Sequence, residues 1–173
     1  MTRPPPDHPY RVLFLCTGNS ARSQMAEAVL NRKGRGRFEA HSAGSRPADR
    51  IHPLTLQVLQ EGGIDWAGHR PRGLEDCLGQ SWDFIITVCD RARESCPVFP
   101  GQPVLAHWGM PDPAAAEGTE SERHAAFVEA LQMISRRIDL LPALPVEKLE
   151  RLALTVRVQA IGHEESPAAT PDP

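Results

Sequence analysis

Residues 14–28 read FLCTGNSARSQMAEA. The stretch begins inside the apolar run 11–16, RVLFLC, which has the length and continuity of a fully buried strand. It ends on Met25, Ala28 and Val29 at helical spacing, so the pattern predicts a helix over 21–32. Between the two lie Gly18 and Asn19, residues that tolerate unusual backbone angles. Cys16 and Arg22 bracket this turn as C-x5-R, and Ser23 follows. A loop that runs into a helix N-terminus offers unpaired N–H groups and the positive end of the helix dipole to an anion. Arg22 adds a planar fork that suits a tetrahedral oxyanion. Thr17, Gly18, Asn19, Ser20, Ala21, Arg22 and Ser23 are therefore the expected oxyanion-binding residues. The same field favours a thiolate at Cys16, and Ser23 can donate a hydrogen bond to the sulfur. No G-x4-G-K-[ST] pattern is present, which excludes a Walker-type nucleotide loop.

Outward from this loop, the pattern predicts strands over 38–42, 83–88 and 103–108, and helices over 54–61, 121–141 and 146–162. Ser121 is the expected N-cap of the long helix. The segment LTVRVQ in the last helix also fits a strand. Alternating strands and helices imply an α/β fold: a small doubly wound, four-stranded parallel sheet with helices on both faces. Ligands of such sheets bind beyond the carboxyl ends of the strands. Cys16, Cys89 and Asp112 all fall at or just past such ends.

The chain has 173 residues, 40% of them apolar and 24% charged, which suits one domain with a full core. Its net charge of -3 carries no nucleic-acid footprint. No apolar run has the length of a membrane span, and the start lacks a signal-peptide core. The expectation is a cytoplasmic monomer whose four cysteines are reduced, catalytic or redox-active. The proline-rich ends suggest a flexible tail over 1–9, a single domain over 10–162 and a disordered tail over 163–173.

The loop LCTGNSARSQMAEA resembles that of the low-molecular-weight tyrosine phosphatase superfamily, and more narrowly of the arsenate reductases on that fold. SAG at 42–44, GHRPRGL at 68–74 and HWGMPDPA at 107–114 extend the resemblance, which covers roughly 11–141. It implies that Asp112, followed by Pro113, is the general acid that protonates the leaving oxygen. Cys89 and Cys96, with six residues between them, resemble the second and third cysteines of the thioredoxin-coupled reductases. The implied chemistry starts with Cys16 attacking arsenate. Cys89 then attacks Cys16 and releases arsenite, and Cys96 carries the disulfide outward to thioredoxin. Glutaredoxin with glutathione is the other donor in view. Helical spacing would hold the Cα atoms of Cys89 and Cys96 about 10.5 Å apart, beyond disulfide reach of about 7 Å. The segment 90–100 is thus expected to rearrange.

Three Ala residues follow Asp112-Pro113 in place of the aromatics of a tyrosine phosphatase, which favours a small inorganic oxyanion. No tightly bound cofactor is expected. Some of the reductases hold potassium through residues that match Asn19, Glu27, Ser42 and Asp65. Cys77 matches no role, and His107 reads as a packing residue. Arg46, His69 and Arg70 can edge the pocket. Two other functions fit the same residues. One is a phosphatase that uses only Cys16, Arg22 and Asp112. The other is a non-catalytic redox sensor built on Cys89 and Cys96.

Overall fold

The computed structural model describes residues 6–149 and 151–164. Residues 1–5 and 165–173, most of the two expected tails, lie outside the described residues. Four strands, β1 (Tyr10–Cys16), β2 (Phe38–Gly44), β3 (Phe84–Thr87) and β4 (Val104–His107), form one sheet in the order β2-β1-β3-β4. All pairings are parallel. Leu13, Phe14 and Leu15 are consecutive and all buried. Neighbours along a strand point to opposite faces, so both faces of β1 are covered. The order steps to opposite sides of β1, which puts the switch-point crevice beyond Cys16.

Helices α1 (Arg22–Lys33), α2 (Pro53–Glu61), α4 (Glu120–Ala143) and α5 (Arg151–Ile161) follow the expected order, and a short helix that the pattern did not predict, α3 (Asp90–Glu94), lies between β3 and β4. Helix α1 packs on β1, β2 and α4, and α5 packs on β4. The long helix starts at Glu120, one residue earlier than the sequence suggested. Its cap is Thr119, not Ser121, because Thr119 has an acid three residues on. Thr119 Oγ1 accepts the Glu122 N–H at 3.1 Å and its hydroxyl donates to the Glu122 carboxylate at 3.2 Å.

The segment LTVRVQ is helical. Leu154, Val158 and Ile161 are buried at helical spacing, while Val156 is exposed, which a strand face through 154, 156 and 158 would forbid. A short 3-10 turn, Val146–Lys148, precedes that helix. Helix α5 covers the end of the edge strand. Its Gln159 accepts the His107 N–H at 2.8 Å, and its Val158 carbonyl accepts the Trp108 indole N–H at 2.9 Å. Among the described residues no helix is long and apolar enough to cross a membrane.

Candidate active site

The loop between β1 and α1 is held from behind, by its carbonyls. The segment after β2 supplies the donors. The N–H groups of Ser45, Arg46, Ala48 and His52 bond the carbonyls of Cys16, Thr17, Gly18 and Ser20 at 2.9–3.3 Å. The Thr55 hydroxyl also reaches the Ser20 carbonyl, at 2.9 Å. With the carbonyls turned out, N–H groups of the loop are left for an anion. Asn19 takes the left-handed conformation that closes the turn, with φ 51°. Gly44 lets this happen: a Cβ there would sit 2.4 Å from the Thr17 carbonyl oxygen. The SAG resemblance pointed to this glycine without showing why it is needed.

Cys16 ends β1 and is buried. Its Sγ lies 2.7 Å from Ser23 Oγ and accepts the Asn19 N–H at 3.1 Å. The sequence suggested that the loop's field would ionise this thiol. Burial works against that and pushes the Cys16 thiol up from its ordinary value. Hydrogen bonds from Ser23 and Asn19 pull it down, the nearby Cys89 pushes it up, and Arg22 pulls it down.

Arg22, at the start of α1, donates Nη1–H to the Met110 carbonyl at 3.0 Å. Its Nη2 is 3.7 Å from Asp112 Oδ2. The oxyanion fork and the expected acid therefore meet at one mouth. Asp112 accepts the Ala114 N–H at 3.0 Å as the cap of the 3-10 turn Pro113–Ala115. That capping bond fixes the direction of the carboxyl group.

Cys89 follows β3 and caps α3. Its Sγ accepts the Ala92 N–H at 3.4 Å and stands 3.5 Å from Thr17 Oγ1, so the second cysteine touches the loop of the first. Cys96 lies beyond the end of α3 and is half-buried. It faces a groove of about 240 Å³, lined also by Arg93, Leu105, His107 and Gln159. All four cysteines are reduced, and burial pushes the Cys77 and Cys96 thiols up. His107 is a satisfied residue, as expected: it pairs with Thr87 Oγ1 at 2.7 Å and Asp90 Oδ1 at 3.0 Å.

Of the four residues matched to potassium ligands, three form one hydrogen-bonded chain. Asn19 Nδ2 donates to Ser42 Oγ at 2.8 Å, and Ser42 donates to Glu27. Asn19 Oδ1 already accepts from Gln24 and from the Arg72 N–H. The Arg72 guanidinium meets Glu27 at 3.1 Å. Asp65 is exposed and caps the Ala67 N–H. Gln24, Trp66 and Arg72 are site residues the sequence pattern did not single out. Arg72 lay within the GHRPRGL match, whereas Trp66 carried no signal. Of the predicted rim residues, Arg46 bonds the loop through its backbone, and His69 stacks on Trp66 at 3.5 Å. The Arg70 carbonyl accepts from Gln24 at 3.3 Å.

Residues 11–152 match the model of the low molecular weight phosphotyrosine protein phosphatase family. An arsenate reductase of Halalkalibacterium halodurans is 37% identical over 73% of this chain and 91% of its own length. The solved thioredoxin-dependent arsenate reductase of Corynebacterium glutamicum is 31% identical, with a TM-score of 0.56. That match covers 78% of this chain and 64% of the other. A low molecular weight protein tyrosine phosphatase of T. tengcongensis is 28% identical, with a TM-score of 0.62 over 78% and 99% of the two chains. With residues 11–152 matched by the family model and these relatives aligned over most of the chain, the chain belongs to the low molecular weight phosphotyrosine protein phosphatase family.

Proposed function

We propose that this protein is an arsenate reductase that uses Cys16, Cys89 and Cys96 in sequence. The observation that carries this is the contact of Cys89 with the loop, Sγ to Thr17 Oγ1 at 3.5 Å. Phosphate ester hydrolysis has no use for a second thiol at that point. The similarity to arsenate reductases supports the same assignment. The arriving dianion takes the Cys16 proton, which offsets the burial of the sulfur. Loop N–H groups and Arg22 hold the anion in line with Sγ. An S–As bond forms and an As–O bond breaks. Asp112 gives the departing hydroxyl its proton, and it leaves as water.

Cys89 then attacks Cys16 Sγ. The S–As electron pair stays on arsenic, As(V) becomes As(III), and arsenite departs. Cys96 attacks Cys89, frees Cys16 and leaves a Cys89–Cys96 disulfide. A dithiol protein of the thioredoxin kind reduces that disulfide, taking up the oxidation. No potassium ion enters this scheme. Asn19 Oδ1 accepts from Gln24 and the Arg72 N–H, Ser42 Oγ accepts from Asn19 Nδ2 and donates to Glu27, and the Arg72 guanidinium pairs with Glu27.

The test is arsenite production by the pure protein with thioredoxin and its reductase, against glutathione with glutaredoxin. Cys89→Ser should bind phosphate normally and release no arsenite. Failure of the intact protein with both donors would refute the proposal. The Arg22–Asp112 approach of 3.7 Å also supports weak phosphatase activity in the same mouth. Cys89→Ser should leave p-nitrophenyl phosphate hydrolysis unchanged.

A further inference from the structure

Two polar side chains behind the loop play no part in the scheme above, Gln24 and Trp66, both buried. They are joined to the nucleophile by an unbroken chain of hydrogen bonds. Trp66 Nε1–H donates to Gln24 Oε1 at 2.9 Å. Gln24 Nε2 donates to Asn19 Oδ1 at 2.9 Å. Asn19 Nδ2 donates to Ser23 Oγ at 2.8 Å, and Ser23 Oγ lies 2.7 Å from Cys16 Sγ.

The direction of this chain is fixed at its outer end. An indole N–H can only donate, so it must face the oxygen of the Gln24 amide. The Gln24 nitrogen must then face Asn19 and meet its oxygen. The Asn19 nitrogen is left to face Ser23. Ser23 Oγ thus receives a hydrogen from Asn19, and its own hydrogen is left for the sulfur. A second donor-only group holds the middle of the chain the same way: the Arg72 backbone N–H bonds Asn19 Oδ1 at 2.8 Å. The Trp66 ring is itself held, stacked on His69 with 4° between the planes.

We propose that Trp66 and Gln24 are positioning residues for Cys16. The indole N–H of Trp66 orders the relay Trp66–Gln24–Asn19–Ser23 so that Ser23 donates its hydroxyl hydrogen to the Cys16 sulfur. The relay therefore presents the sulfur with a donor before any substrate arrives. The inference rests on Cys16 being the reacting thiol, and not on arsenate being the substrate.

The test uses the full-length reduced protein at one neutral pH, and three readouts. They are the rate of Cys16 alkylation by iodoacetamide, the affinity for inorganic phosphate, and the indole N–H resonance of Trp66. Gln24→Met removes the donor to Asn19 and should slow alkylation about tenfold, the low end for one hydrogen bond to a charged group. Trp66→Phe keeps the Gln24 amide beside Asn19 but removes the donor that orients it, and should slow alkylation about threefold. Phosphate affinity, set by loop N–H groups and Arg22, should stay within about twofold in both. In the wild-type protein the Trp66 indole resonance should shift when Cys16 is alkylated, and in Gln24→Met it should not.

Wild-type alkylation rates in both variants would overturn the proposal. So would a parallel fall in alkylation and phosphate affinity, which marks a packing role. If a variant does not fold, the wild-type resonance decides alone: no shift on alkylation refutes the relay. Loss of arsenate turnover from the intact protein, with the alkylation pattern as expected, would refute the reductase assignment and leave this one standing.

Discussion

Gly44→Ala tests whether the loop depends on close backbone approach. The new Cβ would stand 2.4 Å from the Thr17 carbonyl oxygen and 3.1 Å from Asn19 N and Cβ. Comfortable separations are roughly 3.5 Å, so the loop must retreat by about 1 Å. It has little room to do so, because the Thr17 carbonyl is held by the Arg46 N–H at 2.9 Å. Overpacking of this kind costs about 1–3 kcal/mol. For a domain of this size that lowers the melting temperature by about 2–12 °C. A 1 Å displacement at a reacting centre costs about a hundredfold in rate. Single-turnover arsenite release should therefore fall about a hundredfold while the protein stays folded. Gly73→Ala is the control. Its nearest neighbour is Pro47 Cγ at 3.9 Å, so stability should change by no more than about 0.5 kcal/mol. A Gly44→Ala protein that melts, binds phosphate and turns over like the control would show that the loop does not depend on this close approach.

Three other outcomes follow. Asp112→Asn should lower p-nitrophenyl phosphate hydrolysis about a hundredfold or more and leave phosphate binding intact; an unchanged rate would remove Asp112 from the acid role. Backbone N–H groups of Ala92 and Arg93, bonded to Cys89 in the reduced protein, should exchange faster once Cys89 and Cys96 are oxidised. Equal exchange in both states would mean that the relay needs no rearrangement. The Glu39 carboxyl is held below its usual range, chiefly by its hydrogen bond to His41. A depressed carboxylate stabilises the fold above the unfolded value of about 4.5 and loses that effect as pH falls through the folded value. The melting advantage of the wild type over Glu39→Gln should close on acidification below about 4.5. A gap that widens on acidification would reverse the sign.

The sheet was legible because β1 and β3 are continuous apolar runs, and strand order places Cys16, Cys89 and Asp112 at one rim. The loop was legible because strand, Gly18-Asn19 and helix follow one another directly. What escaped was mostly long-range and polar. Trp66 meets Gln24 across 42 positions, and Arg72 meets Glu27 across 45, with no local pattern to announce either pair. The pull of the loop on the Cys16 thiol was legible, but the opposing burial was not, since it depends on tertiary packing around the sulfur. The Thr119 cap was missed for a local reason, its acid partner Glu122 lying three positions on.

The outward-turned carbonyls of residues 16, 17, 18 and 20 have one more implication. A cradle braced from behind cannot reshape itself around its guest. Arsenate and phosphate, both tetrahedral and both anionic, should enter it on nearly equal terms. Selection must then come after entry, from the element rather than the shape. In the proposed scheme arsenic(V) accepts an electron pair when Cys89 pulls Cys16 away, and phosphorus(V) resists it. On that scheme phosphate is a reversible occupant that competes for the site, and the commitment to product is made by the second thiol.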